Sequence, residues 1–140
     1  MVTIMTYREA HFVGVAALWA EAFPNDPPWN RADAAIPEKL ARQPDLLLVA
    51  DDGGRVVGTV MAGYDGHRGW LYSLAVEAKR QREGIGTLLL KEAEARLAAL
   101  GCRKINLQIR GGNDAVAAFY LRHGYGLEER ISLGKRIGTV

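Results

Sequence analysis

Apolar side chains recur along the chain with two different spacings, and each spacing predicts one type of element. Residues 2–7 alternate between apolar and polar and predict a strand, whereas the apolar positions of residues 12–23 recur at helical spacing and predict a helix. Three apolar runs follow, 46–50, 55–64 and 70–76, and glycine-containing turns separate them. These runs predict three strands joined by hairpins.

The second half of the chain predicts helices and strands in turn. An apolar stripe over residues 85–100 predicts the longest helix, and Gly101 follows it at the position where glycine commonly ends a helix. Residues 104–110 predict a strand, residues 114–123 predict a helix, and the residues from Tyr125 onward predict one or two final strands.

Prolines shape the N-terminal half. The segment 24–30 ends the first helix, because proline lacks an amide donor and restricts the residue before it. A second helix is predicted over residues 31–42, with an interruption at Pro37. The predicted order is β-α-α-β-β-β-α-β-α-β-β. Because hairpins in the middle exclude a purely alternating βαβ fold, we expect an α/β (α+β) protein with a mixed sheet of six to seven strands and about four helices on both faces.

Composition narrows the classes of protein that the chain can represent. Its 140 residues, of which 49% are hydrophobic, suit one hydrophobic core, so we expect a single domain over residues 1–140. The 18 basic and 16 acidic side chains give a charge of +2, which is too balanced to indicate a nucleic-acid-binding surface. No apolar run is long enough to span a bilayer and no export signal is visible, so we expect a cytoplasmic protein without a membrane partner. Cys102 is the single cysteine and the three histidines are scattered, and we therefore expect neither an internal disulfide nor a metal site.

The segment between the strand 70–76 and the helix 85–100 carries the clearest chemical signal. It contains Gln81-Arg82-Glu83-Gly84-Ile85-Gly86-Thr87, which delivers glycines to the N-terminus of a helix. Unpaired amides and the helix dipole attract anions there, and glycine lets a phosphate approach closely. Three basic side chains lie beside it: Lys79, Arg80 and Arg82. The loop lacks the lysine of a Walker motif and the third glycine of a dinucleotide fingerprint, so neither of these motifs is present. A pyrophosphate would fit the loop, and a plain structural loop is the alternative interpretation.

Two motifs resemble those of a known family. The loop resembles the coenzyme A-binding motif of the GNAT family of N-acetyltransferases, Gln/Arg-x-x-Gly-x-Gly/Ala, at Gln81, Gly84 and Gly86. Downstream, the segment 113–125 is similar to that family's Asn-x-x-Ala-x-x-x-Tyr-x-x-x-Gly-Phe/Tyr segment. Two motifs in the expected order are far more specific than either alone. The sequence of residues 58–69 further resembles that of the YpeA-like subgroup, and this resemblance implies no particular substrate.

The resemblance implies a GNAT-like acyl-coenzyme A N-acyltransferase fold and an N-acetyltransferase. Acetyl-coenzyme A would be the cosubstrate, and a primary amine of a small molecule or peptide would attack it directly. The resemblance implies that Tyr120 is the catalytic acid that protonates the leaving thiolate. It also implies these cofactor-binding residues: Leu74, Ala75, Val76, Gln81, Arg82, Glu83, Gly84, Ile85, Gly86, Thr87, Asn113 and Tyr120.

Each key residue also has a structural interpretation. Tyr120 lies on an apolar helix face, which by periodicity alone favours a core tyrosine, whereas the match to the family motif favours the catalytic role. Asn113 stands where a helix N-cap is expected, and it can cap the helix and also face the cofactor. Glutamates that serve as the base in other members of the family are replaced here by the Tyr72-Ser73 pair and by Gln108. A noncatalytic acyl-coenzyme A sensor or partner-binding domain of the same fold is therefore the alternative function.

The acceptor side is less defined by the sequence. Trp29, Asp65 and His67 are candidate substrate-binding residues, and each could instead belong to a simple connection or a solvated turn. A water chain reaching Asp65, His67 or Glu77 is the candidate general base, with no choice among the three. The expected partners are the amine acceptor and, as a further option, a second copy in a homodimer, but no nucleic acid and no membrane.

Overall fold

The computed structural model describes residues 1–138 of the chain and contains two compact units. The sheet unit comprises Met1–Asn106, and the C-terminal unit comprises Leu107–Val140. Among the described residues, no helix is long and apolar enough to cross a membrane. The single domain expected from the length of the chain stays a prediction.

The sheet unit contains a mixed sheet of five strands in the order β1-β2-β3-β4-β5. Its strands are β1 (Val2–Thr6), β2 (Leu47–Asp52), β3 (Arg55–Tyr64), β4 (Gly69–Val76) and β5 (Ile105–Asn106). The first four pair antiparallel, whereas β5 runs parallel to β4 and pairs with it only at Gly69 and Trp70. The mixed sheet predicted from the central hairpins is thereby confirmed.

Helices α1 (Phe12–Ala22), α2 (Ala32–Arg42) and α3 (Ile85–Ala99) belong to the sheet unit. Contrary to the prediction, α2 is not interrupted at Pro37. Proline removes one helical amide donor and costs stability in a helix interior. Burial of Ala32 and Ile36 on the same helix opposes that cost, so packing overrides the local preference.

Helices cover both faces of the sheet, as predicted. One face carries α1 and α2, whose core partners in β2 are Leu47 and Val49. The other face carries α3: a Cβ added to Gly58 of β3 would lie 2.9 Å from Leu89 and 3.2 Å from Ile85. Glycine at position 58 therefore lets the start of α3 approach the sheet closely.

The C-terminal unit contains helix α4 (Asp114–Arg122). The strand predicted over residues 104–110 is limited to β5, and the final strands predicted from Tyr125 onward are absent from the described residues up to Gly138. Four apolar side chains in this stretch are between 86% and 92% exposed: Leu127, Ile131, Leu133 and Ile137. An alternating pattern becomes a strand only with a partner for its backbone and a surface for its apolar face, and the described part of this unit supplies neither.

Candidate active site

Strand β4 is distorted at its centre by a β-bulge. Thr59 and Met61 of β3 pair with Ala75 and Tyr72, so Ser73 and Leu74 together stand opposite one residue of β3. Ser73 has a φ of 54°, a left-handed conformation that is costly for a residue with a Cβ. A bulge re-aims the backbone groups of its strand, and this one lies directly before Leu74, Ala75 and Val76.

One buried side chain contacts the bulge and is itself bound by a second buried side chain. The hydroxyl of Thr59 lies 2.9 Å from the carbonyl oxygen of Ser73 and 2.8 Å from Nε1 of Trp19 in α1. Thr59 is fully buried and Trp19 is nearly so. Sequence reasoning missed these residues, because no local pattern shows that positions 19, 59 and 73 meet.

The edge of β4 beyond the bulge is open within the sheet unit. Pairing with β5 ends at Trp70, so Leu71–Val76 has no parallel neighbour among residues 1–106. Backbone groups of an unpaired edge can bind an extended ligand as an added strand. The geometry therefore places the predicted residues Leu74, Ala75 and Val76 on a strand edge of that kind.

The predicted anion loop leads from this strand to the N-terminus of α3. Gly84 is the N-cap residue in a left-handed conformation, with a φ of 83°. It offers no side chain to cap the helix, so the first amides of α3 have no side-chain acceptor at the cap. The side chain of Gln81 donates a hydrogen bond of 3.3 Å to the carbonyl oxygen of Val76, which joins the loop to the end of β4. The two groups of predicted cofactor-binding residues in the sheet unit are thus adjacent.

The side chains of the loop have different roles. Arg82 has a φ of 72° and is exposed, as are Gln81, Glu83 and Gly84. Ile85 is instead buried against β3, so only its backbone is available to a ligand.

The basic cluster predicted beside the loop is partly neutralised. Arg80 forms ion pairs of 2.9 Å with both Asp52 and Glu83. Its charge is therefore compensated within the protein. Lys79 and Arg82 are the exposed basic side chains of the predicted cluster.

The second motif lies in the C-terminal unit. Asn113 occupies the N-cap position of α4, as predicted, but its side chain forms no capping hydrogen bond. Tyr120 is 6% exposed, and its ring contacts Phe119 and Tyr125 edge-on at centroid distances of 5.3 and 5.4 Å. Its hydroxyl forms no hydrogen bond with any other residue that the structure describes. Burial raises the pKa of Tyr120 to about 12, so the phenol stays protonated at neutral pH.

The three acceptor-side candidates occupy two connections of the sheet unit. Asp65 and His67 belong to the turn between β3 and β4, whereas Trp29 lies on a short 3₁₀ turn, Pro28–Asn30, and is 43% exposed. The carboxylate of Asp65 accepts hydrogen bonds from the amides of Arg68 (2.7 Å) and His67 (2.8 Å). These amides hold the pKa of Asp65 below its usual value, so Asp65 closes the turn and is a weak base.

Glu77, another candidate base, is engaged as well. Its carboxylate accepts a hydrogen bond of 2.7 Å from Arg55. Gln108 in the C-terminal unit donates its side-chain amide to the hydroxyl of Ser132. The carboxylate of Glu77 is therefore paired, and Gln108 has an amide in place of a carboxylate.

Comparison with known proteins places the chain in a family. The model of the acetyltransferase (GNAT) family matches residues 11–125. An acetyltransferase of Sodalis glossinidius is 43% identical over 135 residues, which cover 96% of this chain and 94% of that protein. The fold is similar to that of Ard1 from Thermoplasma volcanium, with a TM-score of 0.82, 20% identity and coverage of 91% and 84% of the two chains. It is also similar to that of an aminoglycoside N-acetyltransferase solved in complex with coenzyme A, with a TM-score of 0.78, 19% identity and coverage of 97% and 95%. The chain belongs to the GNAT family of acetyltransferases and is an N-acetyltransferase.

Proposed function

We propose that the chain binds acetyl-coenzyme A through the loop 81–87 and transfers the acetyl group to a primary amine of a small molecule or peptide. One observation carries the proposal: a strand with an open edge leads through a glycine-containing loop into a helix whose N-terminus has no side-chain cap. The structural neighbour that was solved with coenzyme A supports the choice of cosubstrate.

The loop suits the pyrophosphate of the cosubstrate. The first amides of α3 point out of the helix end, and the helix dipole favours a negative charge there. Lys79 and Arg82 are the side chains that add positive charge, since Arg80 is already paired. The pantetheine arm would then lie along the open edge of β4, with backbone hydrogen bonds to Leu74–Val76. We also assign Asn113 to cosubstrate binding, on its match to the second motif.

The proposed transfer is a direct attack. The neutral amine forms a bond to the thioester carbonyl carbon, and the oxyanion that develops accepts hydrogen bonds from β4 amides near Leu74–Val76. The carbon–sulfur bond then breaks, the amine nitrogen loses a proton to a base, and the thiolate receives one. Tyr120 donates to the sulfur in this scheme. Its role rests on the motif match and on a phenol that stays protonated at neutral pH and forms no hydrogen bond with the described residues.

The acceptor would be bound by Trp29, Asp65 and His67. Among the three candidate bases, the two carboxylates are weak or paired, as described above for Asp65 and Glu77. His67 is exposed on the same turn and is therefore the side chain that we assign to proton removal, directly or through water.

Cosubstrate binding is tested by a pair of glycine variants at opposite ends of α3. Gly84 and Gly101 have φ values of 83° and 93°, and a Cβ added to either would meet no atom within 4 Å. Alanine at either position therefore imposes a similar backbone strain, on the order of 1–2 kcal/mol. We expect Gly84→Ala to weaken binding of acetyl-coenzyme A at least ten-fold by calorimetry, and Gly101→Ala to leave it within two-fold. Equal effects of both variants would refute the loop as the binding site.

Catalysis is tested separately. Release of thiol from acetyl-coenzyme A is measured over a panel of amino acids, polyamines, aminosugars and peptides. Turnover with at least one amine supports the proposed reaction. Tight cosubstrate binding without turnover on any acceptor would contradict the proposed reaction and would favour a noncatalytic sensor of the same fold.

A further inference from the structure

Two buried side chains connect helix α1 to the bulge of β4, and the direction of their hydrogen bonds is fixed by their chemistry. A carbonyl oxygen can only accept, so the hydroxyl of Thr59 must donate its one proton to Ser73. An indole N–H can only donate, so Trp19 donates to the same hydroxyl. The order is therefore Trp19 to Thr59 to Ser73, and it leaves the hydroxyl no alternative rotamer that keeps both bonds.

This chain of hydrogen bonds determines the direction of the next amide. The peptide between Ser73 and Leu74 is planar and trans, so its carbonyl and its N–H point in opposite directions. Because the carbonyl is bound to Thr59, the N–H of Leu74 must point away from Thr59. Ser73 has a strained φ of 54°, and such a conformation persists only where its surroundings hold it. Thr59 is the side chain that holds this peptide from β3.

We propose that Thr59, aligned by Trp19, is a positioning residue that fixes the Ser73–Leu74 peptide so that the N–H of Leu74 is presented to the thioester carbonyl oxygen. This inference rests on the proposed function, and it selects Leu74 from the β4 amides as the donor to the oxyanion. A preorganised donor of this kind typically contributes about a hundred- to a thousand-fold to turnover. An amide whose peptide is free to rotate contributes less.

The test compares three substitutions at the two side chains of this hydrogen-bond series. Thr59→Val keeps the shape of the side chain but removes both hydrogen bonds, Thr59→Ser keeps the hydroxyl, and Trp19→Phe removes only the first donor. We expect Thr59→Val to lower the single-turnover rate of acetyl transfer at least ten-fold while the KM for acetyl-coenzyme A changes less than three-fold. Thr59→Ser should restore the rate to within three-fold of wild type, and Trp19→Phe should fall between the two.

A purely structural role for Thr59 is separated by a destabilising control. Leu97 is fully buried in α3 and packs near Gly69, at the other end of β4. Leu97→Ala should lower thermal stability at least as much as Thr59→Val and leave the single-turnover rate nearly unchanged. Parallel losses of stability and rate in both variants would overturn the proposal, as would a normal rate in folded Thr59→Val.

A spectroscopic measurement keeps the positioning claim testable if no acceptor is found. In ¹H–¹⁵N spectra, the Leu74 amide should shift on addition of acetyl-coenzyme A in wild type and Thr59→Ser, and this shift should be lost or reduced in Thr59→Val. A Leu74 shift that is the same in all three proteins would overturn the role of Thr59. Failure of wild type to turn over, with the Leu74 shift intact, would refute only the transfer reaction.

Discussion

Replacing Tyr120 by phenylalanine removes a single oxygen and separates a chemical role from a packing role. The ring of Tyr120 contacts Phe119 and Tyr125 edge-on, and phenylalanine keeps both contacts. The hydroxyl forms no hydrogen bond with the described residues, so its removal leaves no partner unsatisfied among them. We therefore expect Tyr120→Phe to change the free energy of unfolding by no more than about 1 kcal/mol.

The kinetic effect follows from the raised pKa of the phenol. At about 12, this pKa lies some 3.5 units above that of an ordinary thiol, near 8.5, so complete proton transfer from Tyr120 to a thiolate is uphill by about 5 kcal/mol. The hydroxyl therefore acts mainly as a hydrogen-bond donor while the carbon–sulfur bond breaks. A hydrogen bond to a charged group contributes about 1.5–3 kcal/mol, which corresponds to about ten- to a hundred-fold in rate. We expect Tyr120→Phe to slow acetyl transfer roughly a hundred-fold.

The assay is single-turnover acetyl transfer, with thermal unfolding and cosubstrate binding measured on the same preparation. Tyr125→Phe is the matched control, because it removes a hydroxyl from the ring that packs against Tyr120. Wild type should show no loss of rate attributable to Tyr120 up to about pH 10, since the phenol stays protonated there. A Tyr120→Phe rate within a few-fold of wild type, or an equal loss in Tyr125→Phe, would refute the role of this hydroxyl.

Three further predictions concern other parts of the molecule. Hydrogen bonds from Gly54 and His11 lower the pKa of Asp51. The stability that this carboxylate contributes is therefore present above about pH 4 and is lost as the pH falls below it. Asp51→Asn should flatten the dependence of the melting temperature on pH between about 5 and 3. Affinity for acetyl-coenzyme A should fall several-fold between 50 and about 500 mM salt in calorimetry, because exposed charges that meet phosphates are screened, and salt-independent binding would contradict the anion loop. Alanine at Trp29 or His67 should raise the KM for the acceptor more than the KM for acetyl-coenzyme A, and equal changes would argue against acceptor recognition.

Local patterns predicted the central hairpin well. Residues 55–64 were predicted as a strand from their apolar run, and β3 has these bounds. The turn before it contains Gly53 and Gly54, with φ values of 60° and 94°, which other residues rarely adopt. Strand length and turn chemistry agree here, so neighbouring residues alone determine the structure.

Predictions failed where distant contacts decide the outcome. Pro37 was expected to interrupt a helix that buried side chains instead keep continuous. The alternation after Tyr125 was expected to form strands, but its apolar side chains are exposed in the described residues. A period-two pattern specifies which residues share a face, and it cannot specify whether a partner strand is present to receive that face.

In the candidate site, too, features formed by consecutive residues could be predicted, and features formed by distant residues could not. Gly84 and the loop 81–87 could be found from sequence, because an anion site at a helix N-terminus is built from consecutive residues. The neutralisation of the charge of Arg80 could not be found from sequence, because one of its partners, Asp52, lies 28 positions earlier in the chain. Thr59 was missed for the same reason, since its contact with the bulge depends on the register between two strands.

The general base shows why chemistry on the acceptor side is harder to assign than cosubstrate binding. A pyrophosphate site needs backbone amides, which every residue but proline supplies, so glycine spacing alone is informative. A base needs a side chain whose proton affinity matches its task, and that affinity depends on neighbours that the sequence does not reveal. Asp65 illustrates the difference: it is a carboxylate at a plausible position, yet two backbone amides of its own turn lower its pKa and so weaken it as a base. The residue type therefore identifies a candidate base, but the hydrogen bonds around that side chain decide whether it can act as one.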